Sequence, residues 1–159
     1  MIEKSLIVVK PDGVQRGLVG NIIKRFENVG LKIVAMKMAH ISKEFSKKHY
    51  KAHVDKPFYK GLETFITQGP VIAFVVEGIS AVDLSRKLVG ETEPHKALPG
   101  TIRGDFAHHT YAFTDKKGIA IKNLIHASGS KKEAEEEIKL WFRDEELFEY
   151  KTVHEEHVF

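Results

Sequence analysis

The chain has 159 residues, 42% of them hydrophobic and 30% charged, and it contains no cysteine. That is the composition of one ordinary globular domain, long enough for a real core, and it excludes disulfides and cysteine-ligated metals. A formal net charge of +3 suits phosphate-bearing ligands but is too small and scattered to argue for nucleic acid.

The start, Met1 to Ser5, leads into an apolar run shorter than a signal-peptide core, and no run approaches membrane-spanning length. A cytoplasmic protein with no membrane partner is therefore expected. Leu6-Ile7-Val8-Val9 is unbroken and apolar, and Lys10-Pro11-Asp12-Gly13 stops it, which predicts a buried central strand ending at Lys10 and then a turn. A lysine there either reaches solvent along its own stem or serves a site, and spacing leaves both open. From Val19, the residues Ile22, Ile23, Phe26 and Val29 follow helical spacing, with Gly30 at the C′ position. Leu31 to Ile41 carries β-branched residues and methionines on both faces, as suits a strand whose second face meets another element or another subunit.

Lys43 to His53 is helical in character, and Lys56-Pro57-Phe58 breaks it. A second helical piece runs from Phe58 to about Gln68, and Val71 to Val76 is the second strongly apolar strand. Ala81 to Val89 is a short helix with Arg86 on its surface. Gly90 to Asp105 reads as a long loop, and such loops in compact domains are usually functional. It holds Thr92 and Arg103, groups that bind phosphate oxygens well, although Arg103 could instead pair with Asp105. His108 to Phe113 alternates like a strand and Asp115 to Gly118 looks like a turn, predicting a hairpin arm that feeds a strand from Ile119 to His126.

Next come Asn123-Leu124-Ile125-His126, a cluster of small residues, and a helix from Lys131 to Phe142. Ser130 with Glu133 is a capping box, and Ala134, Ile138, Trp141 and Phe142 share one helix face. Unpaired N–H groups at such a helix start favour an anion. A histidine beside them could carry a phosphoryl group, because an imidazole titrates near neutrality and its free nitrogen is nucleophilic. The acidic, aromatic tail from Glu145 to Phe159 is expected to wrap the domain or a neighbour.

The element order predicts an α+β fold over one domain, residues 1–159. It is a ferredoxin-like βαββαβ four-stranded antiparallel sheet with helices on one face, and residues 106–122 form an extended arm. A doubly wound parallel sheet competes but would want more strands. There is no P-loop, no dinucleotide fingerprint and no hydrolase elbow. His154-Glu155-Glu156-His157 lacks the spacing of a zinc helix, so no protein-held metal is expected.

Several motifs in order resemble the nucleoside diphosphate kinase family over roughly residues 4 to 150. They are Lys10 to Leu18, His49-Tyr50, Lys56-Pro57-Phe58, Gly90-Glu91-Thr92, Pro99 to Asp105 and Asn123 to His126. The resemblance implies a ferredoxin-like hexamer, or a tetramer of the same dimers. It implies transfer of the γ-phosphoryl of ATP or another nucleoside triphosphate to a nucleoside diphosphate, with Mg²⁺ bound through the phosphates, by a ping-pong cycle.

It makes His126 the nucleophile, with Lys10 on the γ-phosphate and sugar hydroxyl and Asn123 on the sugar. Arg86, Thr92 and Arg103 would hold the β- and γ-phosphates, Phe58 and Leu62 would sandwich the base, and Tyr50 would lie near the histidine. Glu137 would orient His126; helical geometry alone leaves Glu135 equally eligible. The family usually has Gly-Ser-Asp-Ser after the histidine, where this chain has Ala127-Ser128-Gly129-Ser130. The segment from Phe106 to Lys122 is longer than usual, and the tail after Tyr150 matches no family pattern. A catalytically silent nucleotide-binding scaffold and a nucleic-acid-binding sheet are the alternatives. A silent scaffold has no need of His126, Lys10, Arg86, Thr92, Arg103 and Asn123 together.

Overall fold

The computed structural model describes residues 2–158. Strands β1 (Ile2–Val9), β2 (Lys32–His40), β3 (Pro70–Ile79) and β4 (Ile125–Ala127) form one sheet in the order β2-β3-β1-β4, every neighbouring pair antiparallel. This is the ferredoxin-like sheet. Around it run α1 (Pro11–Gln15), α2 (Val19–Glu27), α3 (Lys43–His49), α4 (Tyr59–Thr67), α5 (Ala81–Val89), α6 (Ile102–Phe106), α7 (Tyr111–Lys117), α8 (Lys131–Trp141) and α9 (Glu155–Val158). None of these helices is long and apolar enough to cross a membrane.

Both faces of the sheet are covered, where the sequence pattern predicts one. Leu6 and Val8 of β1 with Val71, Ala73 and Val75 of β3 pack against Tyr59, Ile66, Ile138 and Trp141. Ile7, Val9, Ile72, Phe74 and Val76 pack against Ile22, Phe26, Ala81 and Val89. The cause is visible in the unbroken apolar runs, since a strand with no polar face must be covered twice. α2 ends in a Schellman pair, Gly30 N–H to the Glu27 carbonyl and Leu31 N–H to the Phe26 carbonyl, with Gly30 at φ +81°.

Four other expectations change. The turn after Lys10 is the short helix α1, with Pro11 at its first position, where its missing N–H costs nothing. The long loop contains a 3₁₀ turn (Pro94–Lys96) and α6. The predicted hairpin arm is α7: the Thr110 hydroxyl accepts the Phe113 N–H, and Gly118 and Ile119 close a second Schellman pair. The strand expected from Ile119 to His126 shrinks to three residues, because Leu124 takes φ +71° just before it. The tail lies along β2 of its own domain: the Phe148 N–H reaches the Val34 carbonyl at 2.8 Å and the Tyr150 hydroxyl reaches the Ile33 carbonyl at 2.7 Å.

Candidate active site

Strand parity decides where His126 points. It pairs opposite Val8, so it shares the face of Leu6 and Val8, under α3, α4 and α8. Its Nε2 lies 2.9 Å from Glu137 Oε1 on α8. A carboxylate only accepts, so Nε2 carries the proton and Nδ1 keeps its lone pair. The Ser128 hydroxyl donates to Glu137 Oε2 at 2.6 Å and accepts the Leu6 N–H at 3.2 Å, fixing the carboxylate from behind. Glu135, the alternative orienter, instead lines a separate cleft beside Glu3 and Lys4.

His49 abuts the same histidine edge to face, with ring centroids 4.7 Å apart. Its Nδ1 accepts the Trp141 Nε1–H at 3.1 Å. Burial first, then the basic neighbours His126, Lys10 and His53, hold His49 well below the ordinary imidazole range. It is therefore neutral, and its 3.9 Å approach to Glu137 is no ion pair. His49, His126 and Glu137 also form a metal-like group, with ligand atoms within 4.8 Å of one another. The Trp141 N–H sits on the His49 lone pair that a metal would need, so the group does not fit an ion.

His126 opens onto a cavity of about 810 Å³. Lys10, Tyr50, Phe58, Leu62, Arg86, Thr92, Arg103 and Asn123 line it with His126, while Glu137 stands behind the histidine. Lys10 follows Leu6 and Val8 on the same parity. Only 7% exposed, it is no solvent-reaching lysine, and its Nζ donates to Asn123 Oδ1 at 2.7 Å. Asn123 in turn donates from Nδ2 to the Thr92 carbonyl at 2.9 Å. The left-handed Leu124 is held by Asp12, whose Oδ2 accepts the Leu124 N–H at 3.1 Å. That strained backbone is set where the chain turns from Asn123 into β4.

Arg103 does not pair with Asp105, which binds Arg25 at 2.7 Å. Its Nε, Nη1 and Nη2 donate to the carbonyls of Asn123, Gly90 and Ile125 at 3.1, 3.0 and 2.7 Å. α6 can present it because Gly104 lies against the Leu98 carbonyl, where any Cβ would collide. Burial, then the charge of Arg86, lowers Arg103 to about 10. Burial, then Arg103, lowers Lys10 to about 8, with Asp12 acting the other way. Crowded cations in a buried wall are the electrostatic signature of a polyanion site.

Tyr50 is buried, its ring centroid 6.3 Å from that of His126, and burial with Glu137 raises its phenol far above the usual range. Phe58 is 57% exposed at the cavity mouth, with Leu62 one turn further along α4. His53 bridges Tyr50 and Phe58, at centroid distances of 6.5 and 5.7 Å. The capping box at α8 is half formed. Ser130 accepts the Glu133 N–H at 3.2 Å, but Glu133 reaches the Gly129 N–H at 3.1 Å. A Cβ on Gly129 would lie 2.7 Å from that carboxylate, so the glycine admits Glu133 where the family pattern has aspartate.

Sequence reasoning passed over Ser128, His49, Trp141 and Asp12 as site residues. Asp12 had a signal, a carboxylate two residues past a buried lysine. Ser128 had only its place in the small-residue cluster.

The sequence model of the family described as Nucleoside diphosphate kinase matches residues 3–147. The chain is 54% identical to the nucleoside diphosphate kinase of Pyrococcus abyssi, covering 93% of this chain and 89% of that one. It is 46% identical to that of Borreliella burgdorferi, covering 95% and 93%. A solved Borrelia burgdorferi structure, described as a transition-state mimic with bound vanadate and ADP, superposes with a TM-score of 0.96 at 45% identity, over 99% of this chain and 96% of that one. The Halobacterium salinarum enzyme in complex with CDP gives 0.89 at 43% identity, over 100% and 99%.

Proposed function

Because the chain belongs to the nucleoside diphosphate kinase family of enzymes, we propose that it transfers the γ-phosphoryl of a nucleoside triphosphate to a nucleoside diphosphate through a phosphohistidine on His126. The observation that carries the reading is the bond from His126 Nε2 to Glu137, which leaves Nδ1 as the free nucleophile at the cavity floor.

In the first half-reaction the Nδ1 lone pair attacks the γ-phosphorus, the bond to the bridging oxygen breaks, and the diphosphate leaves with that electron pair. In the second, a terminal oxygen of an incoming diphosphate attacks the same phosphorus and the P–N electrons return to Nδ1. Phosphoryl transfer asks for positioning and charge compensation more than for covalent chemistry. Lys10, Arg86 and Arg103 supply the positive charge, Thr92 a hydroxyl donor, and Asn123 the sugar contact. Phe58 and Leu62 stack rather than read a base, which supports tolerance of base identity. Tyr50 borders the histidine as an uncharged wall.

The basic cavity wall suits Mg²⁺ carried on the nucleotide's phosphates rather than caged by protein oxygens. When bound, the ion would supply neutralisation of the phosphate charge, with Lys10, Arg86 and Arg103 holding the phosphates that carry it. ATP and other nucleoside di- and triphosphates are the proposed partners, in a cytoplasmic homo-oligomer, hexamer before tetramer. Met36 and Met38, exposed on the edge strand β2, support a subunit contact.

Brief incubation with γ-labelled ATP tests the reading. Acid-labile label appears on the protein and is chased off by any nucleoside diphosphate; protein that never acquires label is inactive in this sense. Lys10 adds a pH dependence. With its amine lowered to about 8, roughly nine-tenths of it is neutral at pH 9, so KM for nucleotide rises up to about tenfold between pH 7 and pH 9. A Lys10→Met variant lacks that alkaline limb. Because the unfolded chain holds this proton more tightly, stability moves the other way, rising with pH from about 8 to the ordinary lysine range.

A further inference from the structure

One wall of the cavity belongs to α7 and has no part in the chemistry above. It is tied to the Thr92 segment. Glu93 Oε1 accepts the Tyr111 N–H at 2.9 Å, and the His95 N–H donates to the His109 carbonyl at 3.2 Å. Lys96 closes on the same Glu93 at 2.7 Å. At the far end of the arm, the Lys122 N–H donates to His109 Nδ1 at 3.3 Å. The N-terminal end of α7 is thus held against the segment that carries Thr92.

Three of its polar residues line the cavity: Tyr111, Thr114 and Asp115. Thr114 is buried and its hydroxyl is spent on the Tyr111 carbonyl at 3.1 Å. Asp115 is a carboxylate, which only accepts and repels phosphate. Tyr111 is different. The residue is 43% exposed, and among the described residues its hydrogen bonds are those of its backbone, the N–H to Glu93 and the carbonyl from Thr114. It also lies within electrostatic reach of Arg103 and Lys96. A phenol O–H beside cations that gather a polyanion meets that anion as a donor.

We propose that Tyr111 is a further substrate-binding residue, its hydroxyl donating to a phosphate oxygen of the nucleotide held by Arg103. The inference rests on the transfer reading of the same cavity.

The test is steady-state transfer by the full-length protein and its Tyr111→Phe variant, with ATP as donor and GDP, CDP or UDP as acceptor. Loss of one charge-assisted hydrogen bond raises KM about fivefold to tenfold. The rise is equal for the three acceptors, with kcat within twofold and the melting temperature unchanged, since only an oxygen is removed from a half-exposed ring. An unaltered KM overturns the assignment. So does a rise confined to one base, which would put the hydroxyl on the base edge. A wild-type protein that transfers nothing overturns the transfer reading itself, whereas an active wild type beside an unaffected variant removes Tyr111 alone.

Discussion

Replacing His126 with alanine is expected to lower kcat by about 10⁴-fold or more, since a covalent nucleophile has no substitute. It is also expected to abolish the acid-labile label. The loss should be chemical rather than structural. His126 sits at the sheet edge strand β4, 21% exposed at its side chain, and Glu137 keeps its bond to Ser128 when the imidazole goes. A melting temperature within a few degrees of wild type, nucleotide affinity retained by calorimetry, and no turnover is the expected pattern. His126→Gln sharpens it, because the amide can still donate to Glu137 yet has no nucleophilic nitrogen. If either variant still took up acid-labile label from ATP, the phosphorylated residue would lie elsewhere, and parity and tautomer together would count for nothing.

Parity was the most legible part of this site. Alternation along β1, continued to Lys10, and along β4 puts Lys10 and His126 on one face, and the unbroken apolar run of β1 marks that strand as central. A helix cap was legible too where a polar residue stands before an apolar period, as at Ser130. The arm misled because His108 to Phe113 reads as alternating, and six residues are too few to separate a period of two from a single helical turn. Thr110 and Gly118 were the competing signals, a start and a stop eight residues apart, and they won because together they satisfy backbone groups at both helix ends.

What lay beyond the sequence was convergence from distant segments. Ser128, Glu137 and Leu6 meet behind the histidine. Trp141 and His49 are 92 positions apart yet share a hydrogen bond. Asp12 fixes a backbone kink at Leu124, 112 residues away. No local period encodes such meetings; they follow from the order of strands in the sheet.

Arg103 makes the other large prediction, because its two expected losses can be separated. Its guanidinium holds the carbonyls of Gly90, Asn123 and Ile125, and so ties together the segments that carry Thr92, Asn123 and His126. In Arg103→Ala those carbonyls lose their donors. The expected cost is about 3 kcal/mol, or a fall of ~6–12 °C in melting temperature. Removing the charge beside the transferring phosphoryl should lower kcat/KM by ~10³-fold as well. Arg103→Lys distinguishes fork from charge. A lysine keeps one positive centre but cannot reach three diverging carbonyls, so its melting temperature should lie nearer that of Arg103→Ala than that of wild type. Its kcat/KM should also fall by at least about 10²-fold, because a charge without the bracket leaves Asn123 and β4 less well placed. A lysine variant with wild-type stability and near-wild-type transfer would mean that the three backbone bonds hold nothing in place, and Arg103 would be reduced to a point charge in the cavity wall.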